Sequence, residues 1–288
     1  MDNVFSVGFA HMGTFIGHRA TQAARLLNRV GLGGMNQVLK RVLGMVMHDT
    51  LKIHVDGLVI QGPAVSWRIL NNLSEGEYES VEVRLFKECL TPGMVVLDIG
   101  ANVGYYALVA ARIVGPTGHV FAFEPDPRTR DALVANMARN NFKNVTVIGK
   151  GASDAEGEHE MYLSASANRS SLYQTPSLER VVGKLSVEQT TVDAELNGRV
   201  ADVAKMDIEG AEAAAYRGMR KSLRPGAVLF MEFSPPMLAA AGADPDEFGR
   251  LLIEEWEAVE MIHEGGLISI VDPPTQFTNL RCSGWRGG

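Results

Sequence analysis

Apolar and polar positions repeat with two different periods along this chain, and the changes of period mark its organisation. Over the first fifty residues, Met35, Val38, Leu39, Val42 and Val46 recur at the spacing that places them on one face of an amphipathic helix. Gly31, Gly33 and Gly34 separate it from an earlier helix around Arg19–Val30. These helices predict a cap on the main domain, with a membrane-surface helix or a dimer contact as the alternatives. From Leu51 to Leu70 the pattern turns to short extended runs. Ile53 and Val55, then Leu58, Val59 and Ile60, flank Asp56-Gly57, a strong hairpin turn signal. A helix over Glu77–Cys89 follows, and Thr91-Pro92-Gly93 breaks the chain. The pattern predicts an arm (1–50), a hairpin-and-helix segment (51–90) and a main domain (91–288).

Within the main domain, short apolar runs alternate with helical stretches. Val95–Asp98, Val120–Glu124, Val145–Ile148, Val203–Asp207 and Val228–Glu232 read as strands. Between them lie helices through Ala111, over Arg128–Asn140 with Leu133, Val134 and Met137 inward, and over Ala211–Leu223. A final helix runs from Pro245 to Trp256, with weaker strands near Val259–His263 and Leu267–Val271. Buried strands alternating with helices specify a doubly wound, mostly parallel α/β sheet, because right-handed crossovers place helices on both faces. Residues 152–201 break the rhythm with polar, hairpin-like pieces and predict an insertion.

Composition narrows the function classes. The formal net charge of −7 opposes a nucleic-acid partner, which would require a basic face. Residues 1–49 nevertheless carry +3, through Arg19, Arg25, Arg29, Lys40 and Arg41 against Asp2 and Asp49, leaving −10 on the remainder. That asymmetry fits an arm that meets an anionic surface or packs on its own acidic body. Two cysteines, Cys89 and Cys282, provide neither a disulfide framework nor metal-ligand spacing. The apolar stretch Val4–Ile16 is too short to span a membrane and lacks a basic leader, so a cytoplasmic protein is expected.

The first chemical signal is Asp98-Ile99-Gly100-Ala101-Asn102-Val103-Gly104, between a strand and a helix. Glycines at such a turn let a ligand approach the backbone, and the helix presents free N–H groups. The dinucleotide pattern G-x-G-x-x-G fails here, because Asn102 and Tyr105 stand where it needs glycine. Asp98 would repel a pyrophosphate but favour the cationic amino group of a methionine moiety. Glu124, in Phe123-Glu124-Pro125, ends the second strand, where a carboxylate can accept both hydroxyls of a ribose. It could instead cap the next helix, as Asp126 could equally well.

The third signal, Lys205-Met206-Asp207-Ile208-Glu209-Gly210-Ala211-Glu212, ends the fourth strand beside the first. Three charges along one side of an extended tip, Lys205, Asp207 and Glu209, are costly without partners and therefore favour a site. Glu212 reads as a first-turn complement to the helix dipole. Glu232 ends the fifth strand and could add a carboxylate to the same edge.

In order and spacing, these three motifs resemble the FkbM-type S-adenosylmethionine-dependent methyltransferases, whose segments are D-x-G-A-N-x-G, F-E-P and K-x-D-x-E-G-A-E. Asn168-Arg169-Ser170-Ser171 and Thr191-Val192-Asp193 also resemble family segments, and the likeness spans residues 75–235. Arg169 stands where a small residue is expected, a departure that falls on the substrate pocket. The resemblance implies a class I, Rossmann-like methyltransferase sheet and O-methylation of a small metabolite, sugar or glycolipid-type acceptor. Asp98, Gly100, Ala101, Asn102, Gly104, Glu124, Pro125 and Asp207 are the expected S-adenosylmethionine contacts. Asp207-Ile208-Glu209-Gly210 occupies the place of the N/D-P-P-Y/F motif of many N-methyltransferases, which disfavours methylation of an amide or base.

A hydroxyl acceptor must lose its proton, and Asp207 and Glu209 are the base candidates by position. Lys205 joins them if its pKa is depressed. Oxygen ligands such as Asp207, Glu209 and Glu232 would suit Mg²⁺, but the resemblance does not require it, and no metal site is expected. Among seven histidines without metal-like spacing, His54 is the acceptor-contact candidate. The rivals are an N-methyltransferase, a nicotinamide dehydrogenase and a non-catalytic nucleoside-binding module working through the arm.

Overall fold

The computed structural model describes residues 51–166, 169–176, 178 and 181–287. The expected N-terminal helices and Asn168 lie outside the described residues. The hairpin forms where the turn signal places it: β1 (Leu51–Val55) and β2 (Leu58–Gly62) pair antiparallel, with Val55 opposite Leu58. Asp56 and Gly57 take φ of 51° and 70°, the left-handed pair that a two-residue turn of this twist requires. The next segment is helical, although extended backbone is expected as far as Leu70. α1 (Trp67–Glu75) buries Ile69, Leu70 and Leu73 on one face and ends at Gly76, φ 72°. α2 (Ser80–Cys89) buries Glu82, Val83 and Phe86.

The doubly wound core follows. Its first half is β3 (Val95–Ile99), α3 (Tyr105–Val114), β4 (His119–Phe123), α4 (Pro127–Arg139) and β5 (Val145–Ile148). A small sheet intervenes, built from β6 (Gly151–Ala152), β7 (Gly157–Ser164) and β8 (Val181–Thr190) in the order β6-β8-β7. After α5 (Val192–Leu196) come β9 (Ala201–Met206), α6 (Glu212–Arg217) and β10 (Leu223–Phe233). The chain closes with α7 (Pro235–Ala240), α8 (Pro245–Glu255), β11 (Trp256–His263), β12 (Gly266–Ser269) and β13 (Thr278–Trp285).

The main sheet has eight strands in the order β12-β11-β13-β10-β9-β3-β4-β5. Strands β5, β4, β3, β9 and β10 run parallel, while β13 lies antiparallel between β10 and β11. Leu97, Ile99, Phe121 and Phe123 point into one core, and Val96, Val120 and Ala122 into the other. Burial on both faces explains why these strands read as unbroken apolar runs. Residues of α1, α2, α3 and α4 pack on the second core, and residues of α6 and α8 on the first. The hairpin is fastened by two side-chain amides, Asn136 of α4 and Asn140 at its C-cap, which accept from the Gln61 and Val59 amides and donate back to their carbonyls.

Several sequence expectations are corrected. Val134 is 51% exposed, because the inward stripe of α4 is Leu133 and Met137 and its neighbour turns to solvent. The helix expected as far as Leu223 stops at Arg217, and a short 3₁₀ turn leads directly into β10. Ser234-Pro235-Pro236 opens α7, where proline is tolerated because the first helical N–H groups have no intrahelical partner. β13, whose polar and apolar residues mix without a clear period, was absent from the expected strand set.

Candidate active site

The ends of β3 and β4 form the first half of the site. Gly100 and Gly104 have φ of 91° and 94°, and Asn102 joins them in the left-handed region at 51°. Gly100 is also required by packing within the chain: a Cβ there would lie 2.0 Å from the Asp207 carbonyl oxygen. Gly104 is required by packing, since its Cβ would meet Leu133 Cδ1 at 2.4 Å. The Gly100 and Ala101 amides donate to the Phe123 carbonyl, which ties the turn to β4.

Glu124 is buried at the end of β4. Its Oε2 accepts from the Asn102 amide at 2.7 Å and its Oε1 from the Asp126 amide at 2.9 Å. Burial pushes its carboxyl up to about 7 against the pull of these amides. Asp126, not Glu124, caps α4, accepting from the Arg128 amide. Asp98 is 2% exposed, and its Oδ2 has no hydrogen-bond partner among the described residues. Burial raises it to about 7, opposed mainly by the Lys205 ammonium.

The end of β9 is a network of charges. Lys205 is buried, with its Nζ 2.7 Å from Glu82 and 3.9 Å from Glu79. Burial alone would depress this ammonium, but Glu82, Glu79 and Asp207 outweigh it and hold its pKa above the ordinary lysine value. The condition for Lys205 acting as a base therefore fails. Its partner Glu82 is fixed further by the Asn279 side-chain amide.

Beyond β9 the chain bends. The Asp207 amide donates to the Ile99 carbonyl, and burial raises the Asp207 carboxyl. Glu209 does not continue the extended strand; it sits in the left-handed region at φ 56°, and its carbonyl accepts from the Ser171 hydroxyl at 2.7 Å. Glu212 does more than complement a helix dipole, since its carboxylate accepts from the Ile208 and Gly210 amides and so staples the loop. Glu232, at the end of β10, has a buried Oε1 without a partner among the described residues. Burial, then Asp207, Glu209 and Glu212, push its carboxyl up to about 10.

A cavity of about 470 Å³ runs across these strand ends, lined by Asp98, Gly100, Ala101, Asn102, Lys205, Asp207, Glu209 and Glu232, and by Arg169. A smaller cavity of about 60 Å³ is lined by Glu124, Pro125, Gly151, Met161 and Leu172. The two share Gly100, Asn102, Asp207 and Glu209, so a ligand of nucleoside and amino-acid parts could reach across. Gly104 lies behind the turn and lines neither cavity. His54 is exposed on the hairpin and also lines neither. Among the described residues, no three His, Cys, Asp or Glu side chains form a metal-holding group. Sequence reading missed Tyr78, Glu79 and Tyr106 on the cavity wall, and Glu82 behind it. Of these, only Glu82 left a trace, as an acid on the apolar face of a predicted helix.

The sheet order, with antiparallel β13 inserted between β10 and β11 and a cavity across the strand ends, defines a class I S-adenosylmethionine-dependent methyltransferase. Residues 98–258 match the family model described as the methyltransferase FkbM domain. The chain belongs to the FkbM methyltransferase family.

Among curated relatives, the hexuronic acid methyltransferase AglP of Haloferax volcanii is 26% identical over 198 residues, covering 68% of this chain and 74% of AglP. A protein-L-isoaspartate O-methyltransferase of Methanothrix thermoacetophila is 41% identical over 59 residues, covering 20% of this chain and only 28% of that protein's length. Among solved structures, M. jannaschii TYW2 in complex with AdoMet aligns with a TM-score of 0.48 at 14% identity, covering 84% of this chain and 88% of that one. No helix among the described residues is long and apolar enough to cross a membrane.

Proposed function

We propose that this methyltransferase transfers the methyl group of S-adenosylmethionine to a hydroxyl oxygen of a small polyhydroxylated acceptor of the sugar type. The observation that carries this reading is the buried Asp98 oxygen, without a hydrogen-bond partner among the described residues, in the same cavity as Asp207 and Glu209. A buried carboxylate oxygen without a donor suits a ligand ammonium, and S-adenosylmethionine bears one. Glu124 and Pro125 would hold the nucleoside end, and the turn from Gly100 to Asn102 the middle. The resemblance to AglP over most of the chain supports a sugar-type acceptor.

When bound, S-adenosylmethionine supplies an electrophilic methyl carbon on a sulfonium. The work of the chain is to align an acceptor oxygen with that carbon and to take up the proton. The acceptor oxygen donates a lone pair to form the new O–C bond. The C–S bond breaks with its electron pair leaving on sulfur, and the hydroxyl proton passes to the carboxylate of Asp207 or Glu209.

Calorimetry tests the reading directly. S-adenosylmethionine and its demethylated product should bind at micromolar strength while NAD does not bind. A mass-spectrometric screen of hydroxylated metabolite extracts should then show a product heavier by one CH₂. Binding without any such product would favour the non-catalytic nucleoside-binding module. Methylation confined to amines would favour the N-methyltransferase.

A further inference from the structure

The upstream wall of the cavity beside Asp207 lies outside the matched family domain. Tyr78 and Glu79 precede residues 98–258, yet they line the same cavity as Asp207. Glu79 occupies the N-cap position of α2 in the left-handed conformation, φ 42° and ψ 42°, and its side chain makes no capping bond. An acid at a helix start ordinarily accepts from the first free amides and gains from the helix dipole. Glu79 gives up the capping bond and tolerates a backbone conformation that disfavours a Cβ.

Its side chain is committed to the cavity instead. Oε2 accepts from the Tyr106 hydroxyl at 2.6 Å and stands 3.9 Å from Lys205 Nζ. Among the described residues no hydrogen bond reaches Oε1, and 24% of the side chain remains accessible. Tyr78 is half-buried beside it, with its ring 6.0 Å from Tyr105 and 6.4 Å from Tyr106. A carboxylate acceptor next to an aromatic surface suits a ring that offers hydroxyl donors and an apolar face.

Charge sets the second half of the specificity. Five carboxyl-bearing residues line the cavity, but Glu232, raised to about 10, is neutral near pH 7, and Asp98, raised to about 7, is partly so. Glu79, Asp207 and Glu209 stand against two cations, Lys205 and Arg169, and Lys205 is already paired with Glu82. A carboxylate on the acceptor would meet this field repulsively. A cationic acceptor would instead meet the sulfonium beside which it must react. A neutral ring avoids both.

We propose that Tyr78 and Glu79 select the acceptor: Glu79 accepts a hydroxyl of a neutral polyhydroxylated ring, Tyr78 packs against its apolar face, and a ring bearing a carboxylate is refused. This rests on the methyl-transfer reading above, and it sets this chain apart from AglP, which is named for a hexuronic acid.

The test is initial-rate kinetics with S-adenosylmethionine and three matched probes: methyl glucoside, the corresponding uronic acid and the 2-amino analogue. Wild type, Glu79→Gln and Tyr106→Phe are compared, with cofactor affinity measured calorimetrically for each. Wild type should favour the neutral glycoside over the uronic acid by about 10-fold or more in kcat/KM, and Glu79→Gln should raise its KM by about 10-fold. Glu79→Gln should also narrow the discrimination against the uronic acid while leaving cofactor affinity unchanged, a gain that a merely structural role would not produce. Tyr106→Phe removes the hydroxyl that holds Glu79 but keeps the carboxylate, so it should retain the discrimination. Preference for the uronic acid or the amino sugar overturns the inference. So does unchanged discrimination in Glu79→Gln, or no turnover of any probe by a wild type that binds cofactor normally. A wild type that does not bind the cofactor is a distinct result, which removes the methyl-transfer reading as well.

Discussion

Two carboxylates on either side of β3 are restrained in opposite ways. Glu124, after β4, is held by backbone amides of Asn102 and Asp126. Asp207, after β9, stands among charges: the Lys205 ammonium opposes the effect of its burial, and Glu79 adds to it. Backbone amides fix where a carboxylate sits and bring no net charge with them. A charge network also sets a field, and the titrations of its members become linked. The first arrangement suits holding a ligand in one pose, and the second suits moving a proton.

The largest expected effect breaks the network. Lys205→Met leaves Glu82 buried without its partner at 2.7 Å, and breaking such a pair should cost about 3–5 kcal/mol in urea denaturation. Adding Glu82→Gln should recover more than half of that loss. A cost no greater than that of an exposed pair such as Arg84–Glu88, about 0–1 kcal/mol, would show that charge pairing does not hold this strand end.

Glu124→Gln probes the other side. It should weaken S-adenosylmethionine binding by about 1.5–3 kcal/mol, the range for hydrogen bonds to a charged group, with a smaller change in fold stability. Calorimetry and denaturation on the same variant decide between these outcomes. If stability falls as far as in Lys205→Met, the contrast between the two strand ends is lost.

The smallest effect is in pH. Burial lifts Asp98 and Glu124 to about 7. A carboxyl raised in the folded state contributes stability that is present below its unfolded pKa and lost as pH rises through the folded one. The cofactor-free protein should therefore melt lower at about pH 8 than at about pH 6, by on the order of a few degrees. S-adenosylmethionine should reduce that fall by bringing an ammonium to the ionised Asp98. A melting temperature that climbs over this interval, followed by scanning fluorimetry, would contradict the burial account.

Much of this was legible in the sequence, for reasons that also explain the remainder. The hairpin at Asp56-Gly57, the parallel run from β3 to β10 and the turn at Asp98–Gly104 are local signals, each written in consecutive residues. Distant partners leave no local signal. Nothing beside Lys205 announces that Glu82 lies against it, so its charge reads as free chemistry rather than a buried pair. Glu79 reads as one more acid at a helix start, because its turn toward the cavity depends on a left-handed backbone and on Tyr106. Gly100 reads as a ligand turn alone, because the sequence does not show that the Asp207 carbonyl also passes against it.

The most direct test of the proposed chemistry compares turnover with cofactor affinity in Asp207→Asn and Glu209→Gln. Each change keeps the side chain's shape and removes the charge that would take up the hydroxyl proton. In the variant that lacks the base, turnover should fall by about 10²–10⁴ while S-adenosylmethionine affinity stays near that of the wild type. Wild-type turnover in both variants, or a loss confined to cofactor affinity, would contradict the assignment of proton removal to the end of β9.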